Sequence, residues 1–198
     1  MRLTRFALVL ATLLACGAGP VLAIDANPAA AFLPVRSEAP PPAGARGLCR
    51  SLDWACAGGR GGAAGAEVLK LATAVNRAAN GAVRSVSDMA LYAVEERWAL
   101  PTERGGDCED YALFKKLSLI RAGVAPGRLL LATVLDRQNK GHAVLILRTD
   151  RGDFVLDNAT DRVLPWDKTG YLFVRMQNPA RPAGWVSVFA QSGGGAES

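Results

Sequence analysis

Three side chains in this sequence have the types and the chain order of a thiol-based acyl-transfer centre: Cys108, then His142, then Asp157. Cys108 stands in Gly105-Gly106-Asp107-Cys108-Glu109-Asp110-Tyr111-Ala112, where an apolar helical pattern begins. His142 is the only histidine, in Lys140-Gly141-His142-Ala143-Val144, and Asp157 closes the apolar run Phe154-Val155-Leu156. The nucleophile in such chemistry is the thiolate, so the cysteine needs a lowered pKa or a base beside it. A helix N-terminus favours the anion through its unsatisfied N–H groups, which can also hold the oxyanion of a tetrahedral intermediate. His142 is then expected to take the thiol proton and deliver it to the leaving group, with Asp157 orienting the imidazole. The plainer alternatives are a small buried hydrophobe for Cys108, a satisfied core or surface histidine for His142, and a turn aspartate for Asp157, which has Asp153, Asn158 and Asp161 as neighbours. The acidic flanks of Cys108 argue against simple burial.

Those flanks create an electrostatic problem. Asp107, Glu109 and Asp110 oppose ionisation of the thiol, and a bound divalent cation removes the conflict. Carboxylate oxygens are hard ligands suited to calcium, so Ca2+ held by Asp107, Glu109 and Asp110 is one expectation. The other is that Asp107 caps the helix while Glu109 and Asp110 complement its dipole. No His/Cys cluster points to zinc.

The elements that must position these groups follow from apolar spacing. Val68, Leu71, Ala72, Val75 and Ala79 predict a helix over 67–80, stopped at Gly81, with Asn76 and Arg77 on its solvated face. A weaker segment runs from Ser87-Asp88 to Trp98 and Pro101; Trp98 is expected in the core or in the wall of the site. A second helix spans 110–122, with Leu113, Leu117 and Ile120 on one stripe. Runs at 129–135, 142–148, 154–156, 171–176 and 185–189 predict antiparallel strands, so the fold class is α+β with the cysteine helix packed on an antiparallel sheet. Along the histidine strand, His142, Val144 and Ile146 share a face expected to floor the site. In a hairpin of 142–148 with 154–157, His142 faces Asp157 directly only if the turn centres on Thr149-Asp150. The Asp150-Arg151-Gly152 signal favours a later turn, so an early turn or a bulge is expected.

Length and composition set the frame. The 198 residues suffice for about one domain. Met1-Arg2-Leu3-Thr4-Arg5, the apolar run to Leu14 and Val21-Leu22-Ala23 read as a signal peptide over 1–23, and hence a periplasmic or secreted protein. Acylation at Cys16 and an uncleaved anchor are the alternatives, and only these would bring membrane contact. Cleavage removes Arg2 and Arg5 and lowers the formal net charge of +5 by two. The remaining basic residues are scattered among acids, which excludes nucleic acid as a main partner. In an oxidising compartment, Cys49 and Cys56 are close enough to close a disulfide loop, within a Pro/Gly-rich lead-in over 24–65 that is either stapled or an open linker. The domain proper is expected over 66–190 and a disordered tail over 191–198.

Taken together, Gly106-Asp107-Cys108-Glu109-Asp110-Tyr111-Ala112, Gly141-His142-Ala143-Val144-Leu145, Gly152-Asp153-Phe154-Val155-Leu156-Asp157-Asn158, and Val86-Ser87-Asp88 followed by Trp98 and Pro101 resemble the bacterial transglutaminase-like cysteine proteinases of the LapG type. The resemblance covers roughly residues 32–188 and implies a papain-like, transglutaminase-type core. It also implies peptide-bond hydrolysis by Cys108, His142 and Asp157, and calcium held by the acids flanking the nucleophile, here Asp107 and Glu109. Its members cut large surface adhesins and answer to an inner-membrane receptor, so a protein substrate of that kind and a regulatory receptor are the implied partners. Rivals from other classes are a transglutaminase or amidase using the same three residues, and a non-catalytic binding module.

Overall fold

The computed structural model describes residues 31–59, 61 and 65–191; the expected signal peptide and Cys16 lie outside the described residues, as does the expected 191–198 tail except Gln191, whose backbone ends the last strand. Seven strands form one sheet: β1 (Glu38–Ala39), β2 (Leu129–Leu135), β3 (Gly141–Arg148), β4 (Asp153–Asp157), β5 (Thr160–Pro165), β6 (Leu172–Gln177) and β7 (Trp185–Gln191). Their order is β1-β7-β6-β2-β3-β4-β5, and every pairing is antiparallel. Four helices complete the domain: α1 (Leu48–Ser51), α2 (Ala66–Ala82), α3 (Asp88–Tyr92) and α4 (Cys108–Arg121). The expected α+β arrangement is therefore present, with the cysteine at the first residue of α4 and that helix lying on β3.

Alternation along the central strands divides the core in two. Leu129, Leu131, Ala143, Leu145 and Leu147 pack beneath α2 and α4 together with Ala72, Leu113 and Leu119. Leu130, Ala132, Val144, Ile146 and Val155 turn to the other face and meet Phe173, Met176 and Val188. Each fully buried Leu or Ile contributes about 1.5–3 kcal/mol, so β2 and β3, buried on both faces, form the rigid base of the site. The same alternation corrects one expectation: Val144 and Ile146 belong to the core on the face away from α4 and do not floor the site.

Two stripes read from the sequence are also corrected. Asn76 is fully buried on α2 and donates from Nδ2 to the Thr160 carbonyl at 2.8 Å, so it faces β5 and not solvent. On α4 the fully buried positions include Lys115 and Lys116, while Leu117 and Ile120 are only partly covered. Lys116 Nζ reaches the Ala55 carbonyl at 2.7 Å and Gln177 Oε1 at 2.8 Å, whereas Lys115 Nζ has no hydrogen-bond partner among the described residues and lies 5.6 Å from the Tyr111 ring centroid.

The lead-in is built into the domain. Glu38 and Ala39 pair with Val186 and Trp185, Arg175 Nη1 donates to the Pro40 carbonyl at 2.9 Å, and Cys49 and Cys56 form a disulfide. Gln177 Nε2 ties the stapled loop to β6 by donating to the Ala55 carbonyl at 3.0 Å.

Candidate active site

The approach to α4 is set by two glycines. Gly105 has φ +120°, and a Cβ there would lie 2.2 Å from the Arg84 carbonyl oxygen; a Cβ on Gly106 would meet the Asp110 carboxylate at 2.5 Å. Only glycine fits at both, and the close approach lets Gly106 N–H donate to Arg84 O and Gly106 O accept from Val86 N–H, each at 3.0 Å. That short parallel bridge brings Ser87 and Asp88 beside the start of α4.

Asp107 occupies the N-cap position of α4, but its side chain does not cap the helix. Its Oδ2 accepts instead from Asp88 N–H at 3.0 Å, which corrects the capping expectation and draws Asp88 into the site. One carboxylate oxygen from each of Asp88, Asp107 and Glu109 lies within 4.8 Å of the others. Ligands around calcium at 2.3–2.6 Å can be no further apart than about 5 Å, so the spacing suits that ion. In each residue one oxygen is occupied: Asp88 Oδ2 accepts from Arg97 N–H, Asp107 Oδ2 from Asp88 N–H, and Glu109 Oε2 from the Cys108 thiol. The other oxygen of each is buried and has no hydrogen-bond partner among the described residues. Three clustered carboxylates, each with one unpartnered buried oxygen, fit a cation. Asp110, expected in this set, lies outside that group of three; its Oδ1 accepts Ala99 N–H at 3.0 Å, and its Oδ2 is likewise buried without a hydrogen-bond partner among the described residues.

Without a cation, Glu109, Asp110 and Asp88 are raised in pKa. Burial comes first for Glu109, pushed up to about 9, with Asp107 adding to it; burial likewise lifts Asp110 to about 7 and raises Asp88. The Cys108 thiol is pushed well above its ordinary range, first by burial and then by the Glu109 charge, against which the Ala143 backbone N–H acts in the lowering direction. The thiol donates to Glu109 Oε2 at 3.2 Å. In this arrangement the thiol proton is held against Glu109.

His142 and Asp157 are brought together. His142 Nε2 and Asp157 Oδ1 are 2.8 Å apart. The β3–β4 ladder pairs Leu145 with Leu156 and Arg148 with Asp153, a register midway between the two considered from sequence, with the turn centred on Asp150-Arg151. Continued on that register, Asp157 lies opposite Val144, and the imidazole reaches it diagonally, within the span of a long side chain. Ala159 N–H donates to Asp157 Oδ1 at 2.9 Å and the Tyr171 hydroxyl to Oδ2 at 2.5 Å. These bonds, with His142 first among them, outweigh burial and hold the Asp157 carboxyl below its usual range. An ionised Asp157 can only accept, so Nε2 carries the proton and Nδ1 keeps its lone pair.

Tyr171 and Asn80 were not singled out from the sequence, and Asn76 was read as a solvated position. Asn80 Nδ2 donates to the Asp157 carbonyl at 3.1 Å and to the Thr160 carbonyl at 3.0 Å, so α2 grips the β4–β5 turn through two asparagines and thereby positions Asp157. Their spacing on one helix face was a signal available in the sequence; the Tyr171 contact, made across the sheet, was not. Trp98 is a core residue, edge-on to Trp185 at 5.8 Å between ring centroids. It also lines a cleft of about 370 Å³ that contains Cys108, Glu109, His142 and Ala143.

Comparison with known proteins follows the same lines. Residues 35–192 match the family described as bacterial transglutaminase-like cysteine proteinase. Calcium-bound LapG of Legionella pneumophila is similar in fold at 22% identity, with a TM-score of 0.51 over 64% of this chain and 72% of that one. An EGTA-treated form of LapG matches at 22% identity over 56% and 63% of the two chains, with a TM-score of 0.48. No curated protein matches the chain.

Proposed function

Because the chain belongs to the bacterial transglutaminase-like cysteine proteinases, a family of cysteine peptidases, we propose that it hydrolyses a peptide bond through Cys108, His142 and Asp157. The observation that carries this reading is the 2.8 Å His142–Asp157 bond beside the cleft that holds a helix-start cysteine.

The Cys108 thiol leaves Glu109 and gives its proton to His142 Nδ1, and the sulfur forms a bond to the scissile carbonyl carbon. N–H groups of the first turn of α4 stabilise the oxyanion. The imidazolium, held by Asp157, protonates the amine as the C–N bond breaks, leaving a Cys108 thioester. Water then attacks that carbonyl, His142 takes the water proton, and the C–S bond breaks to release the acid and return the thiol.

Asp88, Asp107 and Glu109 are the residues proposed to hold calcium, as the calcium-bound state of LapG suggests. A bound calcium ion supplies positive charge that offsets the carboxylates next to the thiol and favours the thiolate. We further propose that the protein acts after export, on a cell-surface or periplasmic protein.

The test is the rate at which an alkylating probe labels Cys108 across pH, in wild type and His142→Ala, each with calcium and with chelator. Fast labelling below the free-thiol range, lost in the variant and slowed by chelator, supports the reading. Slow labelling in every case sinks it and leaves a binding module as the better account.

A further inference from the structure

The cleft around Cys108 does not stand alone. It shares Ala43, Glu96 and Trp98 with a neighbouring cavity of about 670 Å³. It also shares His142 with a second cavity of about 410 Å³. The three form a chain in which the cleft with Cys108 is the middle member. Arginines line both outer cavities: Arg46, Arg50 and Arg97 in the first, Arg137 and Arg162 in the second.

The carboxylates that also line the two outer cavities each accept hydrogen bonds. Glu96 Oε2 accepts from Trp98 Nε1 at 3.3 Å. Asp136 Oδ1 accepts the N–H groups of Gln138 and Lys140, both at 2.8 Å. Asp157 is taken by His142 and Tyr171. Arg137 donates to the Thr169 carbonyl and Arg97 stacks over the Tyr92 ring. Arg46, Arg50 and Arg162 are exposed, and none takes part in an ion pair among the described residues. Both outer cavities therefore present guanidinium groups suited to carboxylates.

Resting on the peptidase reading above, we infer that the substrate is an extended polypeptide segment with acidic side chains on both sides of the scissile bond, laid along these three cavities. Its direction follows from the chemistry. His142 must protonate the leaving amine, so the chain beyond that nitrogen runs into the cavity that His142 also lines, towards Arg137 and Arg162. The acyl side runs past Trp98 and Glu96 towards Arg46, Arg50 and Arg97.

The test digests a library of linear peptides, randomised at every position, with the calcium-loaded full chain and identifies the products by mass spectrometry. Wild type is expected to enrich Asp and Glu about threefold on both sides of the cut, the discrimination an exposed charge pair can give. Arg137→Glu with Arg162→Glu should remove the enrichment on the leaving-group side only, and Arg46→Glu with Arg50→Glu on the acyl side only. Cutting without acidic enrichment in wild type, or enrichment that survives all four substitutions, overturns the inference while the peptidase reading stands. A library left uncut overturns both.

Discussion

The Tyr171 hydroxyl donates to Asp157 Oδ2 at 2.5 Å, while Oδ1 of the same carboxylate is shared by His142 and the Ala159 N–H. Asp157 is thus held at both oxygens and cannot swing away from the imidazole. The Tyr171 and His142 rings also meet edge-on at 5.8 Å between centroids. Tyr171→Phe keeps that ring contact and removes only the hydroxyl. Because the bond from Tyr171 lowers the Asp157 pKa, its loss should raise that pKa and move the acid limb of the pH–rate profile upward. We expect kcat/KM to fall about tenfold near neutrality, for about 1–2 kcal/mol of lost orientation, and further at pH 5. An unmoved acid limb would argue that Tyr171 only packs.

Asp157→Asn tests the tautomer. The amide can turn its NH2 towards Nε2, which shifts the ring proton to Nδ1 and removes the lone pair facing the cleft. A loss of 10²–10⁴ in kcat is expected, on the order seen when a triad carboxylate is replaced by its amide. Alkylation of Cys108 should slow in parallel, while the melting temperature shifts by only a few degrees. Retention of most of the activity would remove Asp157 from the catalytic set.

Much of this was legible in the sequence because it is local. The α4 start at Cys108, the strands β2, β3, β4, β6 and β7 and the Cys49–Cys56 bridge follow from apolar spacing, turn residues and cysteine separation. What was not legible depends on tertiary placement. β5 begins Thr160-Asp161-Arg162 and ends at Pro165, a polar edge strand with no alternating apolar face to betray it. Lys116 is charged by type and buried by position, because its partners Ala55 and Gln177 come from distant segments. Asp88 lies with Asp107 and Glu109 because the Ser85–Gly106 bridge, a non-local pairing, lays its segment against the start of α4.

Calcium should bind through that cluster and stabilise the fold. At a calcium concentration 100-fold above Kd the gain is about 2.7 kcal/mol, or about 5–10 °C in Tm for a domain of this size. Asp88→Asn preserves the acceptor for Arg97 N–H and removes a charge from the cluster; it should show less than half the wild-type shift on addition of chelator. Asp110→Asn, outside the cluster, should keep the shift. Melting curves of wild type that coincide in calcium and in chelator would eliminate the site.

Lys116 makes a separate prediction about pH. Burial pushes its pKa down to about 7 from an ordinary value of 10.5. Between those values the unfolded chain holds a proton that the folded chain lacks, so stability rises with pH from about 7 towards 10.5, and below about 7 the full cost of the buried charge is present. Lys116→Met removes the charge and keeps the aliphatic volume. Its two acceptors are not abandoned: the Ala55 carbonyl still accepts from Gln177 Nε2 at 3.0 Å, and Gln177 Oε1 from Leu131 N–H at 3.0 Å. The variant should therefore exceed wild type by about 1–2 kcal/mol at pH 6, as apolar replacements of buried charges often do. Wild type gains about 1.4 kcal/mol per pH unit between the two pKa values, so the difference should close near pH 8 and reverse by pH 9, read from urea midpoints at matched m-values. A difference that stays constant over that range would show that the Lys116 amine does not titrate there.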